Sequence, residues 1–214
     1  MVLHEPAVAL TDLGLALECA LFFFLLPAHT SDAALARALR LLFAALACAA
    51  FLGFVVHGFL VDKNALAYRL AWASTLLSIG VVALATTLIG AQLCCSAPTR
   101  RWIVGATVLL LSGYAVLVFA GYRHFGLAVA VYLPAILFLL SVLAVRYWRS
   151  RSPGSLLGSA GLLLSLVATG VQQLNIDLHP DYLDHNTLYH LIQAAALWLL
   201  YLCGRQLLRP ARAG

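Results

Sequence analysis

The stretch Leu41-Leu-Phe-Ala-Ala-Leu-Ala-Cys-Ala-Ala-Phe-Leu-Gly-Phe-Val-Val-His57-Gly-Phe-Leu60 runs for twenty residues without an Asp, Glu, Lys or Arg. Wound as an α-helix it rises about 1.5 Å per residue and spans about 30 Å, the depth of the hydrocarbon core of a bilayer. Its apolar residues form a continuous run rather than a periodic stripe, so it has no polar face to offer water. Six more runs of this kind occupy 7–27, 67–92, 102–120, 127–145, 155–171 and 188–208. The pattern predicts an all-α, polytopic membrane bundle of seven helices, with 1–214 forming one transmembrane domain. The sixth run is the shortest and turns polar at Gln172, Gln173 and Asn175, so that helix either tilts or continues into the polar stretch.

Composition agrees. Hydrophobic residues make up 64% of the chain and charged residues 10%, with a mean hydropathy of +0.98. A soluble domain carries about 25% charged residues, so there is too little charge here to cover a globule, and a soluble fold is excluded. The opening run has no basic residues ahead of it and is too long for the apolar segment of a cleavable leader, so it is expected to stay as the first helix.

The charges also set an orientation. If all seven runs cross, Lys63, Arg69 and Arg123 share one side, while Arg37, Arg40, Arg100, Arg101, Arg146, Arg149, Arg151, Arg205, Arg209 and Arg212 share the other. Basic residues accumulate on the cytoplasmic side, which predicts the N-terminus outside and the C-terminus in the cytoplasm. The acids divide the opposite way: Glu5, Asp12, Asp62, Asp177, Asp181 and Asp184 are outside and Asp32 is inside. The net charge of +5 is therefore topological, spread over inner loops, and implies no nucleic-acid partner. A single lysine against twelve arginines, with abundant Ala and Leu, reads as a GC-rich bacterial composition and hence a bacterial inner-membrane protein. Cys19, Cys48, Cys94, Cys95 and Cys203 have no metal-type spacing and are expected to be free thiols.

Connections this short leave no room for a soluble domain, so function must sit between the helices. An ionisable side chain within a span costs about 2.5–3.5 kcal/mol on insertion scales, and this chain gathers several at one depth. Asp12 and Glu18 lie in the outer half of helix 1, and His57 one turn before the outer end of helix 2, which Asp62 follows. Ser74, Thr75 and Ser78 lie in the outer half of helix 3, and Gln172, Gln173 and Asn175 close helix 6. His185, Asn186, His190 and Gln193 open helix 7, where the i, i+4, i+7 spacing of Asn186, His190 and Gln193 puts them on one face. The inner halves hold only scattered Ser, Thr and Gln92 besides their arginines. An outward-facing polar pocket follows.

Within that pocket His57 and His190 are the expected zinc ligands, with His185 or His179 as a third and Asp12, Glu18 or Asp62 as acceptors behind them. Three protein ligands and one water would give a hydrolytic centre. Other features read as structural: Gly53 and Gly58 as close helix packing, Trp72, Tyr68, Tyr114, Tyr122, Tyr182 and Tyr189 as an interfacial aromatic belt, His4, His29 and His124 as solvated loop residues, and Pro134 as a kink.

The segments Gly53-Phe-Val-Val-His57-Gly58-Phe59, Trp72 to Gly80, and His185-Asn-Thr-Leu-Tyr-His190-Leu-Ile-Gln193 resemble an uncharacterised family of bacterial seven-helix membrane proteins. More distantly, a histidine late in helix 2 and another early in helix 7 resemble the superfamily of alkaline ceramidases and progestin and adiponectin receptors. That likeness implies zinc and hydrolysis of a lipid amide or ester. The chain departs from the superfamily pattern in three places: Gly53 replaces its serine, helix 3 offers Ser74, Thr75 and Ser78 instead of an aspartate, and Asn186 stands four residues before His190 instead of a histidine.

The leading expectation is a metal-dependent membrane hydrolase of lipids, with His57, His185 and His190 on zinc and Asp12 or Asp62 as general base. A non-enzymatic receptor or small-ligand binding protein using the same pocket is the alternative. A haem-binding electron carrier with His57 and His190 as axial ligands is the third.

Overall fold

The computed structural model describes residues 3–27, 30, 32–179 and 182–209. Expectations placed on His29, Asp181 and Arg212 lie outside these residues. Among the described residues there are seven helices: α1 Pro6–Leu25, α2 Ala33–Phe59, α3 Leu66–Cys94, α4 Ala97–Phe119, α5 Phe125–Ser150, α6 Pro153–Gln173 and α7 His185–Leu207. Each is long and apolar enough to cross a membrane.

Each helix starts ahead of its apolar run, and at α2 and α7 a side-chain cap, not hydropathy, sets the start. The Asp32 carboxylate accepts the Leu35 amide at 2.9 Å and starts α2 well ahead of Leu41, so Arg37 and Arg40 ride inside the helix. Arg40 then reaches back to the carbonyls of Leu26 and Pro27 at 3.4 and 3.1 Å. Prolines in the first turns of α4 and α6 start those helices early, where a missing amide hydrogen costs nothing. The sixth helix continues through Gln172 and Gln173, so its polar end is helical. At the same end of the molecule Asp184 caps α7 through the Thr187 amide at 2.7 Å, which brings His185 and Asn186 into the helix.

Packing of α1 on α2, α2 on α3, α3 on α5, α5 on α6, α6 on α7 and α7 on α1 closes a ring of six helices. The remaining helix, α4, sits outside the ring chiefly against α3, held by the buried Tyr114 hydroxyl donating to the Leu76 carbonyl at 2.9 Å. Tyr114 thus binds helix to helix and does not belong to an interfacial belt.

At the arginine-rich end the ring is filled. Phe22 stacks on Tyr201 with ring centroids 4.4 Å apart and meets Phe43 edge-on at 5.4 Å, among Leu39, Leu42, Leu139 and Leu143. A polar knot closes this end, with Gln92 Nε2 donating to both Asp32 oxygens at 3.1 and 3.0 Å and Gln92 Oε1 accepting from Arg100. Partial burial raises the Asp32 carboxyl, but the Leu35 amide, Gln92 and the Arg100 charge outweigh it and hold the group below the usual carboxylate range. The opposite end, where α1, α3, α5 and α7 begin, is left open.

Candidate functional site

The opening at that end is a cavity of about 290 Å³ between α1, α2, α3, α5, α6 and α7. Each main wall is one helical stripe at i+3 or i+4 spacing: Asp12, Leu15 and Cys19 from α1; Leu46, Ala50, Gly53 and His57 from α2; Trp72, Thr75 and Ile79 from α3; and Asn186, His190, Gln193 and Leu197 from α7. Polar groups lie toward the open end, and Leu46, Cys19, Ile79 and Leu197 form an apolar floor.

At the centre His190 lies between two α1 side chains. Its Nε2 is 3.2 Å from Asp12 Oδ1 and its Nδ1 is 3.0 Å from Thr11 Oγ1. The Thr11 hydroxyl also lies 3.0 and 2.9 Å from the carbonyls of Ala7 and Val8, to which it can donate its only proton. With that proton on the main chain, Nδ1–H of His190 donates to Thr11, and one further proton is shared between Nε2 and Asp12 Oδ1. Both residues are buried, Asp12 with 4% of its surface exposed and His190 with 8%. The second oxygen of Asp12, Oδ2, is buried with no hydrogen-bond partner among the described residues.

Glycine at position 53 makes room for this carboxylate. A Cβ there would meet Asp12 Oδ2 at 2.7 Å and Oδ1 at 2.9 Å, distances that real Cβ atoms do not adopt. The packing expected of Gly53 and Gly58 is therefore present, and at Gly53 its purpose is the acid of α1.

His57 stands at the rim. Its Nδ1 bonds Glu5 Oε2, and the main chain around it is tied to the segment leading into α1, with the His4 and Glu5 amides donating to the Gly58 and His57 carbonyls at 3.1 Å each. These bonds satisfy two of the carbonyls that α2 would otherwise leave open at its end. On the far wall Gln193 Nε2 donates to Ser165 Oγ at 3.2 Å. Tyr132 donates at 2.6 Å to Thr169, which passes its own proton to the Ser165 carbonyl at 2.9 Å. Gln172 Nε2 reaches Asn186 Oδ1 at 3.4 Å, and Gln173 donates to Gln172 Oε1.

Of the residues expected in a pocket, Asp12, His57, Thr75, Gln172, Asn186, His190 and Gln193 line this one. Glu18, Ser74 and Ser78 do not. Glu18 is half-buried along α1 with Oε2 unpartnered, Ser74 is exposed, and Ser78 returns its hydroxyl to the Ser74 carbonyl at 2.8 Å. Asp62 caps the turn between α2 and α3, accepting the Asn64 amide at 2.8 Å, and is held away from the cavity.

His185 is also held elsewhere. Its ring nitrogen Nδ1 lies 2.9 Å and its main-chain amide 2.6 Å from Asp177 Oδ1, an arrangement that clamps the loop before α7. The two bonds from His185 hold the Asp177 carboxyl below its usual range. A depressed carboxyl stabilises the clamp at pH above its ordinary value and loses it as pH falls through the lowered one. Protection of the His185 amide, its exchange rate relative to the intrinsic rate at each pH, is therefore expected to be lost only in acid, and Asp177→Asn to remove that pH dependence.

The donor set does not fit a three-ligand zinc as arranged. His185 faces Asp177, both ring nitrogens of His190 are engaged, and no group of three or more His, Cys, Asp or Glu able to hold a metal forms among the described residues. Several contributors to the site are not marked for it in the sequence. Thr11 touches His190 across 179 positions of sequence, and Glu5 was only an outer acid. Trp72 and Tyr189 line the cavity with Phe125 instead of serving only as an interfacial belt, and Trp72 Nε1 is fixed by the Arg123 carbonyl at 2.8 Å.

Fold and site together define an all-α protein with seven membrane-length helices and a polar-mouthed cavity at one end of the bundle. The chain belongs to DUF6962, a family of unknown function, whose pattern it matches over residues 7–209. No curated protein and no solved structure matches it.

Proposed function

We propose that this is a multi-pass membrane protein that binds a small molecule in the Asp12–His190 cavity. It lies in a bacterial cytoplasmic membrane with the N-terminus and cavity mouth outside and the C-terminus in the cytoplasm, as its arginine distribution favours. The observation that carries the reading is the cavity itself, apolar at its floor and polar at its mouth, with a buried hydrogen-bonded acid–histidine pair between. Small-ligand sites have this composition, mostly apolar walls with a few placed polar groups. An extracellular small molecule or a membrane lipid headgroup reaches such a mouth directly.

The test is native mass spectrometry of protein extracted gently from membranes. A bound small molecule on the wild type, absent when Ala50→Trp fills the cavity, supports the reading; equal occupancy in both refutes it.

The second reading is the zinc-dependent lipid hydrolase, and the observation favouring it is that His57 and His190 line one cavity together with Asp12. The distant likeness to the alkaline ceramidases and the progestin and adiponectin receptors points the same way. Metal analysis of protein purified without added metals or chelators separates the two. The binding reading expects far less than one zinc per chain, whereas stoichiometric zinc lost in His190→Ala would overturn it and favour the hydrolase reading, which turnover of a lipid amide or ester would then have to bear out. Iron with a Soret band would instead support the haem carrier.

A further inference from the structure

We infer that a groove between α3 and α5, at the arginine-rich end of the bundle, binds the headgroup of an anionic phospholipid. It lies at the opposite end from the Asp12–His190 cavity and stands or falls independently of it.

The groove has a volume of about 520 Å³. Leu93 and Cys94 at the end of α3 form one side, and α5 supplies the other as the stripe Phe138, Val142, Val145 and Arg149, with Arg146 beside it. The stripe is graded along the helix. Its first three residues are apolar, and the two arginines follow in the last two turns of α5. Val145 and Arg149 are exposed on the outside of the bundle, so the groove opens sideways, toward what surrounds the helices. Around helices of this length and hydropathy that is lipid. Trp148 on the same turns of α5 is 82% exposed, and an exposed tryptophan at the end of a span sits at headgroup level. The arginines therefore stand where a phosphate would lie.

Neither arginine has a counter-ion within the protein. Among the described residues no carboxylate lies within ion-pair distance of Arg146 or Arg149, and neither guanidinium donates a hydrogen bond. Asp32, the acid at this end, is taken up by the Leu35 amide and by Gln92. Arg146 Nε is buried without a partner and is out of a ligand's reach, so what Arg146 brings to the groove is its two outer amino groups. The serines along the groove, Ser141 and Ser150, donate to the Leu137 and Arg146 carbonyls at 2.8 Å each. The free donors are thus the two guanidiniums, three positions apart on one helix, whose planar forks match phosphate oxygens.

The apolar part of the groove selects among phosphates. A free anion would leave Leu93, Phe138, Val142 and Val145 uncovered, whereas a phospholipid lays the start of an acyl chain along them while its phosphate meets the arginines. Basic pockets between membrane helices hold anionic headgroups in this way. A zwitterionic lipid carries a cation beside its phosphate, which two uncompensated arginines repel. Net negative charge is therefore favoured.

The experiment is native mass spectrometry of the full chain in detergent, titrated with phosphatidylglycerol or with phosphatidylcholine of the same acyl chains. The first phosphatidylglycerol is expected to bind at least about fivefold tighter, the factor that one arginine near a membrane surface contributes. That preference should vanish in Arg146→Gln/Arg149→Gln. It should persist in Arg101→Gln/Arg209→Gln, which removes the same charge at exposed positions outside the groove. If the first pair does not fold, Arg149→Gln alone, at an exposed position, must at least halve the preference. Equal binding of the two lipids to the wild type, an unchanged preference in the groove variant, or an equal loss in the control pair would overturn the site. Inorganic phosphate that binds as tightly as phosphatidylglycerol would overturn the lipid as its occupant.

Discussion

Gly161→Val is expected to destabilise the bundle by about 3 kcal/mol, the upper range for inserting atoms into a packed core. A Cβ at position 161 would lie 2.8 Å from the main-chain carbonyl oxygen of Ala196, 3.1 Å from Leu200 Cγ and 3.2 Å from Leu199 Cβ. A carbonyl oxygen on a helix cannot rotate aside, so α6 and α7, the most extensively packed pair, must separate. Gly158 is a milder case, because its Cβ would meet Cys203 Sγ at 2.6 Å and Leu143 Cδ1 at 2.7 Å, and both are side-chain ends. Gly113 on α4 is the control: nothing lies within 4 Å of its Cβ position, and Gly113→Ala is expected to be neutral or slightly stabilising. Unfolding of Gly161→Val, Gly158→Val and Gly113→Ala by sodium dodecyl sulfate, followed by circular dichroism, orders them. Equal stability of Gly161→Val and wild type would mean that the α6–α7 interface is looser than described here.

The second large effect concerns the buried pair. His190→Ala removes the partner of Asp12 Oδ1 and leaves an acid with both oxygens unpaired, while Asp12→Ala leaves His190 Nε2 unpaired. Either change is expected to cost about 1–3 kcal/mol. The double variant leaves neither orphan, so its cost should fall short of the sum by about 0.6–1.7 kcal/mol, the range double-mutant cycles give for hydrogen bonds between membrane helices. A double-mutant cycle by the same unfolding assay measures this. Simple additivity would mean that the two groups do not interact in the folded protein.

How much of this was legible in the sequence follows from the range of each interaction. Leu41 to Leu60 declares a span because its evidence is local and repeated at every residue. The end of α2 that precedes it was missed, because the Asp32 cap acts on an amide three residues on and overrides the charge of Arg37 and Arg40. Depth was also legible, since helix direction alternates, and that sufficed to gather Asp12, His57, Asn186, His190 and Gln193 at one end. Depth says nothing about rotation around a helix axis. Ser74 shares the depth of Thr75 but faces away from the ring, and Asp62 and His185 are claimed by turn and loop partners nearby in the chain. Partners distant in sequence, such as Thr11 for His190 and Glu5 for His57, carry no local signature.

The account stands on the cavity being a place where a small molecule sits. The measurement is the Ile79 methyl resonance in nanodiscs during titration with ethylbenzene, on the wild type and on Ala50→Trp, each with and without a metal chelator. The account predicts one saturable shift in the wild type, its loss in Ala50→Trp, and no effect of chelator. A resonance that never shifts, a shift that survives Ala50→Trp, or one that the chelator abolishes would contradict it.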